Sequence, residues 1–200
     1  MIRRLPRWAV WSCLALWAGL SVVVQSTLMA GHWYTLPSPD RADPALERAL
    51  AALVPEAERE SWAAVHVLYS ACRCSQRVFD HLFESARPDG LYEVVLLVGE
   101  DASVQARADA AGFDVITLSP GELEEHYGIV SAPLLLVMNP GGELQYAGGY
   151  TERKQGYAIE DQEVIRALQA GAAPTELPLY GCGVSKELQQ ILDPMGLKYD

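Results

Sequence analysis

Two cysteines separated by one residue, Cys72 and Cys74, lie in the stretch LYSACRCSQRVF, after an apolar run and before a predicted helix. This spacing occurs in redox centres, in metal sites and in pairs of buried thiols that do no chemistry. A further cysteine, Cys182, lies between two glycines that allow a sharp turn. The elements that position these thiols decide among the three interpretations.

The position of Cys72 favours an ionised sulfur. A thiol in the first turn of a helix lies at the positive end of the helix dipole, near unpaired backbone amides, and both favour the thiolate. Arg73 and Arg77 add positive charge nearby. A disulfide between Cys72 and Cys74 would close a very small ring, so it would be strained and readily reduced. We therefore expect a lowered pKa at Cys72 and a pair suited to exchange rather than to a structural bridge.

Cys182 has two interpretations, which the sequence leaves open. The tail ELPLYGCGVSKELQQILDPMG can fold back on the main domain, with Ser185 as the N-cap of a short helix through Leu192. Cys182 then resolves a mixed disulfide at Cys72 or Cys74. Alternatively it stays unpaired or forms an intermolecular disulfide, because proximity in space is not visible in a sequence.

The N-terminal segment predicts a membrane anchor. Residues 8–31 are uncharged, and at the helical rise per residue they can cross roughly 30 Å of hydrocarbon. Arg3, Arg4 and Arg7 precede them, so the positive-inside rule keeps that end in the cytoplasm and exports the rest, to the periplasm in a Gram-negative bacterium. A cleaved signal peptide is the alternative. Its apolar core is usually shorter, and the LMA before Gly31 is a poor cleavage site, so the signal-anchor is favoured.

The predicted location and the charge of the chain restrict its partners. Cys13 lies within the anchor as a small apolar residue, whereas the three later cysteines face an oxidising compartment. The chain after residue 31 carries 12 Lys and Arg against 26 Asp and Glu, a net charge of −14. Because nucleic-acid binding depends on clustered Lys and Arg, we predict no nucleic-acid partner.

Strand and helix patterns alternate through the rest of the chain. After a proline-rich tether and a short helix, apolar runs typical of buried strands alternate with amphipathic helices, and a hairpin turns at NPGG. This order predicts parallel central strands, helices on both faces and an antiparallel hairpin at one edge. The predicted segments are residues 1–31 as the transmembrane anchor, 32–61 as linker and short helix, 62–171 as the main domain, and 172–200 as an extension that carries Cys182.

Over roughly residues 62–171 the chain resembles the thioredoxin-like family. The resemblance rests on a strand leading into Cys72 at a helix start, on GIVSAP with Pro133 opening the next strand, and on the hairpin LLLVMNPGGELQYAGGY. It implies a cis peptide bond between Ala132 and Pro133, with the proline beside Cys72. With one N-terminal anchor, the chain looks most like membrane-tethered extracytoplasmic members that reduce or oxidise exported proteins.

Three positions depart from the pattern of that family. Ser75 lies where the second cysteine of the usual pair is found, so Cys74 is displaced by one residue, and Ala71 replaces the usual tryptophan. His66 lies six residues before Cys72, where many thioredoxins bury an acid that helps to move protons. An imidazole can take over that relay, or it can be a strand histidine satisfied by hydrogen bonds.

We therefore predict an α/β, thioredoxin-like fold: a central mixed β-sheet flanked by helices, with an N-terminal transmembrane helix and a short C-terminal extension. The predicted function is membrane-tethered thiol-disulfide exchange with exported protein thiols or disulfides and a redox partner protein. The predicted catalytic residues are Cys72, Cys74, Pro133 and Cys182, and Pro133 would shape the site and hold an extended substrate strand. We predict no cofactor and no bound metal for this activity.

The alternative function is copper binding or delivery on the same scaffold. Thiolates select Cu(I), and the thioredoxin-like copper carriers combine two cysteines in this loop with a distant histidine. The chain offers His66, His81 and His126, with Cys182 as a third thiolate. Those carriers space their cysteines more widely, and no histidine here lies in a recognisable loop motif, so copper delivery ranks below redox exchange.

Overall fold

The structure, a computed structural model, describes residues 6–154, 156–193, 196 and 199, with the backbone alone for residues 27–33. Two units are distinguished, Met1–Tyr34 and Thr35–Asp200. The first contains helix α1 (Arg7–Trp33). Its segment Arg7–Ser26 is long and apolar enough to cross a membrane, by length and composition. A signal sequence has the same properties, and Arg3 and Arg4 lie outside the described residues, so the anchor and its orientation stay predictions.

The second unit is built on a five-stranded mixed sheet in the order β3-β2-β1-β5-β6. Strands β1, β2 and β3 are parallel, whereas β5 is antiparallel to both β1 and β6. A second, two-stranded sheet pairs β4 with β7. The strands are β1 (Trp62–Tyr69), β2 (Leu91–Val98), β3 (Asp114–Leu118), β4 (Ser131–Ala132), β5 (Leu134–Met138), β6 (Leu144–Gly148) and β7 (Cys182–Gly183).

Helices cover both faces of the large sheet because the central strands are apolar on both sides. Apolar residues of α3, α4 and α6 form one core cluster with the sheet, and those of α2, α5 and α7 form the other. The helices of this unit are α2 (Pro44–Ala51), α3 (Arg73–Glu84), α4 (Ala102–Ala110), α5 (Pro120–Tyr127), α6 (Asp161–Gln169) and α7 (Lys186–Leu192), and a 3₁₀ turn spans Glu56–Glu58.

The predicted architecture is confirmed: a mixed sheet with parallel central strands, flanked by helices, ending in an antiparallel hairpin. Local capping interactions define both ends of α5. Ser119 and Glu122 form a capping box at the start of α5, and Gly128 ends that helix in the left-handed conformation at φ 63°. The peptide bond between Ala132 and Pro133 is cis, as the family resemblance implied.

The C-terminal tail is part of the folded core, as the first of the two interpretations of Cys182 requires. Its β7 pairs with β4 in antiparallel register, which places Cys182 opposite Ala132. Upstream, Leu179 bridges to Leu36, and downstream Val184 is 1 % exposed. Gly181 lies so close to the β4 backbone that an added Cβ would come 2.0 Å from the Ala132 carbonyl oxygen.

We therefore expect Gly181→Ala to weaken the docking of the tail, because the new methyl group would meet backbone that cannot rotate away. A clash of this kind typically costs about 1–3 kcal/mol of the free energy of unfolding. Denaturant unfolding of the full chain measures the loss, and hydrogen exchange at β7 locates it.

Gly121→Ala is the matched control, since a Cβ added there meets nothing within 4 Å and the residue lies in α5. Helix propensity predicts a neutral or slightly stabilising change at this position. Equal free energies of unfolding for the two variants would contradict the close contact between the tail and β4.

Candidate active site at the thiol cluster

The turn between β1 and α3 places Cys72 at the N-terminus of a helix, as predicted. The Cys72 amide donates to the Tyr69 carbonyl at 3.0 Å, and Cys72 is the N-cap residue of α3. The buried Ser75 hydroxyl accepts from the Tyr69 amide at 3.0 Å, and the Gln76 side chain donates to the Ser70 carbonyl at 3.0 Å. These three hydrogen bonds fix the position of the sulfur relative to the sheet.

Three thiols meet at this turn. Cys72 is completely buried, Cys74 is exposed, and Cys182 is 7 % exposed. The side chains of Cys182 and Cys74 both hydrogen-bond to the sulfur of Cys72. Cys182 pairs through its backbone with Ala132, the residue that precedes Pro133, and this pairing holds the tail thiol in place. The structure thus brings together all four predicted site residues.

The sulfur of Cys72 is strongly acidified. The hydrogen bond from Cys182 contributes most and that from Cys74 next, whereas burial opposes them. The backbone amides of Ser75 and Cys74, at the start of α3, add smaller contributions in the lowering direction. Together they lower the pKa of Cys72 from 9.0 to about 3, so the thiolate is the form expected at neutral pH. The lowered pKa was expected, but its main cause is thiol hydrogen bonding rather than the charges of Arg73 and Arg77.

A cavity of about 810 Å³ opens beside the thiols. Its walls combine aromatic rings with basic side chains, and they include both the cis proline and two of the cysteines. Among the described residues, neither Asp nor Glu lines it. The lining residues are Tyr69, Ala71, Arg73, Cys74, Arg77, Val78, Pro133, Tyr150, Thr151, Lys154, Ile159, Tyr180, Gly181, Cys182 and Tyr199.

Ser75 and His66, two of the three positions that depart from the family pattern, are both buried and hydrogen-bonded. Ser75 is fully buried, and its hydroxyl is used in the turn before α3. His66, also fully buried, lies 3.0 Å from the Glu93 carboxylate through Nε2 and 2.8 Å from the Tyr150 hydroxyl through Nδ1. Because a carboxylate accepts, Nε2 donates, and Nδ1 of a neutral ring accepts from Tyr150. The histidine is thus hydrogen-bonded at both nitrogens, and through Tyr150 it reaches the wall of the thiol cavity.

The hydrogen bonds continue beyond Glu93 into a buried charge network. Arg87 binds both oxygens of Glu93 through Nε and Nη2, at distances of 2.6–3.1 Å, and its Nη2 donates to Asp161 at 2.8 Å. His81 lies 2.8 Å from the other oxygen of Asp161. Glu93, Arg87 and Asp161 were not among the predicted site residues. The one signal for them is Glu93, an acid within the otherwise apolar run YEVVLLV.

The network keeps both carboxyl groups ionised. Burial raises the pKa of Glu93, but hydrogen bonds from His66 and Arg87 outweigh it and hold the pKa below 4.5. Burial likewise raises the pKa of Asp161, yet the hydrogen bond from His81 and the charge of Arg87 lower it to about 2. Two carboxylates therefore share one guanidinium inside the fold, a pairing that is costly to break from either side.

The histidines proposed for copper binding are placed elsewhere. His66 and His81 are bonded to carboxylates of the buried network, and His126 packs against the ring of Tyr127 on α5. Within the described ranges, no group of three His, Cys, Asp or Glu side chains is arranged to hold a metal ion.

The sheet order, the cis bond before Pro133 and the cysteine at the start of α3 define a thioredoxin-like fold. No family model and no curated protein matches the chain. Among solved structures, the chain is similar to a hypothetical protein from Sinorhizobium meliloti, with 15% identity, TM-score 0.49, and coverage of 64% of this chain and 80% of that one.

The chain is also similar to two further solved structures. An uncharacterized conserved protein from Geobacillus kaustophilus is 17% identical with TM-score 0.47, over 63% of this chain and 77% of that one. StoA from Bacillus subtilis is 21% identical with TM-score 0.35, over 44% of this chain and 72% of that one. The fold assignment rests on the strand order and cis proline of this chain itself.

The relative contributions of Cys182 and Cys74 to the lowered pKa of Cys72 predict how that pKa changes when each thiol is removed. Cys182→Ala should raise the pKa of Cys72 more than Cys74→Ala does, because the Cys182 hydrogen bond contributes most. Since the folded pKa lies below that of a free thiol, the thiolate persists at neutral pH and is lost as pH falls through about 3 in the parent chain. In both variants this loss should begin at higher pH.

The titration can be followed by thiolate absorbance and by alkylation rate against pH. Cys13→Ala, which changes a cysteine of α1, is the control and should leave the midpoint unchanged. A Cys182→Ala midpoint equal to that of the parent chain would show that this thiol does not stabilise the Cys72 thiolate.

The buried network makes a separate prediction about stability. Arg87→Gln leaves Glu93 and Asp161 without their cation, at 8 % and 0 % side-chain exposure. Removing one partner of a buried ion pair costs about 3–5 kcal/mol of the free energy of unfolding. Because carboxylates with lowered pKa contribute stability that is lost on protonation, the deficit of the variant should shrink as pH falls below about 4.

Chemical denaturation at neutral and acid pH measures this difference. Arg166→Gln removes an exposed cation whose ion pair with Glu163 spans 3.9 Å, so it should cost less than about 1 kcal/mol at either pH. A deficit for Arg87→Gln that is small, or that does not depend on pH, would mean that the network does not hold ionised carboxylates.

Proposed function

We propose that the protein is a thiol-disulfide exchange protein with Cys72 as its nucleophile. The observation that carries this proposal is the meeting of three thiols at the start of α3, where two of them hydrogen-bond to the buried Cys72 sulfur and lower its pKa. A stabilised thiolate is both the attacking species and the better leaving group in such exchange. The cis Pro133 and a cavity beside the thiols complete the arrangement.

The proposed reaction proceeds through a mixed disulfide. The Cys72 thiolate attacks one sulfur of a substrate disulfide, a bond forms between them, and the other substrate sulfur leaves as a thiolate. A second protein thiol, deprotonated, then attacks the Cys72 sulfur and releases the first substrate sulfur. The protein dithiol is oxidised to a disulfide while the substrate disulfide is reduced to two thiols, and the reverse sequence oxidises a substrate dithiol.

We assign the resolving role to Cys182 rather than to Cys74. Both side chains hydrogen-bond to Cys72, but the Cys182 bond contributes most to the acidity of Cys72. Cys182 is also fixed by strand pairing with Ala132 and is nearly buried, which protects the resulting disulfide from solvent thiols. Cys74 is exposed on the first turn of α3, where it can meet an incoming substrate.

The proposed setting is the outer side of a membrane. Helix α1 would anchor the protein with its N-terminus in the cytoplasm, and Thr35–Asp200 would act on exported protein thiols or disulfides together with a redox partner protein. The support is the apolar length of α1, the arginines before it, and a cysteine set suited to an oxidising compartment.

The test is reduction of insulin by the full-length chain in neutral detergent with a thiol reductant. Cys72→Ser should reduce activity to the background of the reductant, because the nucleophile is lost. Cys182→Ser should accumulate a mixed disulfide between Cys72 and the substrate, visible by mass spectrometry. Cys13→Ser is the control and should retain full activity.

The alternatives give different results in the same experiment. If Cys74→Ser rather than Cys182→Ser traps the mixed disulfide, the resolving cysteine is Cys74. If Cys72→Ser retains the activity of the parent chain, the proposed nucleophile is wrong.

A further inference from the structure

We infer that the cavity beside the thiols selects disulfides flanked by carboxylates, and that it receives them without pairing them as an added β-strand. This inference rests on the proposed exchange function and assigns its class of substrate. It depends on two independent features: the charge of the cavity walls and the strand that already occupies the edge beside Pro133.

The charge of the cavity is opposite to that of the chain. Arg73, Arg77 and Lys154 line it, and no Asp or Glu does so among the described residues. The chain as a whole carries a net charge of −11. A surface this acidic would by itself attract cationic substrates, so a cationic wall in the cavity beside the thiols reverses the local preference.

The position of the cations ties them to the reaction. Arg73 directly follows Cys72 and opens α3. Arg77 lies one turn further and donates to the carbonyl groups of Gly156 and Tyr157, at 2.7 Å and 3.4 Å, so it also holds the loop that carries Lys154. A guanidinium and an ammonium that line one cavity can each bind a carboxylate of a disulfide held in it.

Aromatic walls strengthen this preference. Tyr69, Tyr150 and Tyr180 line the same cavity. Rings displace water from around the charges, and an ion pair is stronger where the local dielectric constant is lower. Carboxylates are the anionic groups that amino-acid-derived disulfides carry at neutral pH, which is why we assign carboxylates rather than anions in general.

The edge beside Pro133 is already occupied. An extended peptide binds a sheet edge through its unpaired backbone groups. Here β7 pairs with β4, so Ala132 lies opposite Cys182, and Gly181 approaches the Ala132 carbonyl without room for a Cβ. The predicted role of Pro133 in holding an extended substrate strand is therefore taken by the tail of the chain. The reacting sulfur has to enter through the cavity.

The test compares three small disulfides of different charge on the reduced full-length chain in neutral detergent. Dithiodiglycolate is anionic, bis(hydroxyethyl) disulfide is neutral and cystamine is cationic. The rate of oxidation of Cys72 by each is measured by mass spectrometry. We expect the anionic compound to react fastest and the cationic compound slowest, which is the reverse of what the net charge of the chain predicts.

Charge removal then tests the named residues. Arg73→Gln and Lys154→Gln should each lower the ratio of anionic to neutral rates by about threefold, and the double variant by about tenfold at low salt. Arg59→Gln removes the same charge from an exposed site outside this cavity and should leave the ratio unchanged. The ratio separates recognition from acidity, because a changed pKa of Cys72 would alter the rates of all three disulfides together.

If Arg73→Gln or Lys154→Gln fails to fold, two other measurements still test the charge preference of the cavity. Arg73→Lys retains the positive charge and should retain the parent ratio. In the parent chain, raising the salt concentration should bring the ratio towards one, because screening weakens exposed ion pairs.

Short disulfide-linked peptides identify the source of the substrate. Peptides with Glu on both sides of the cystine should react faster than peptides with Lys there, and a Glu peptide faster than dithiodiglycolate would indicate a polypeptide source. Faster reaction of dithiodiglycolate would indicate a small thiol compound. Lys peptides that react as fast as Glu peptides would overturn the inference.

The outcomes separate the two proposals. If the neutral disulfide oxidises Cys72 but the three charge types react equally, the inference is wrong while the exchange function stands. If the neutral disulfide does not react at Cys72 at all, the proposed function fails and the inference fails with it.

Discussion

The short antiparallel pairing of β4 with β7 is the constraint on which the candidate site depends. It joins the residue before the cis proline to the tail, and so fixes Cys182 against Cys72. The same pairing covers a backbone edge that would otherwise be open to another chain. Two residues on each side are enough because flanking contacts hold the tail, namely the bridge from Leu179 to Leu36 and the buried side chain of Val184.

Two kinds of buried charge lie on the α3 side of the sheet and are stabilised in different ways. The Cys72 thiolate is held by soft, weakly polar thiol donors and helix-start amides, so oxidation of a neighbouring thiol removes its support. The carboxylates of Glu93 and Asp161 are held by the permanent cation of Arg87, which redox change does not affect. Tyr150 contacts both regions, since it lines the thiol cavity and bonds to His66. The fold thus places the Cys72 thiolate, whose charge depends on its redox state, near the Arg87 network, whose charges do not.

The elements of the sheet were predictable because they depend on local patterns. Apolar runs predicted the strands, the stretch after Cys72 predicted the start of α3, and the family resemblance predicted the cis bond before Pro133. The contacts of Cys182 were not predictable, since they depend on the register of β4 with β7, far apart in the chain. The charge network was not predictable for the same reason, because its members belong to different elements. In a sequence, a buried Arg or Asp cannot be distinguished from one on the surface.

The place of Cys182 in the chain has a consequence for the order of assembly. Cys72 and Cys74 are made early and lie on one helix, whereas the tail strand is made after every strand of the large sheet. An incomplete chain therefore carries Cys72 and Cys74 but not Cys182, the thiol that contributes most to the lowered pKa of Cys72. During synthesis the chain passes through a stage that contains two of these three cysteines, and the complete thiol cluster forms last.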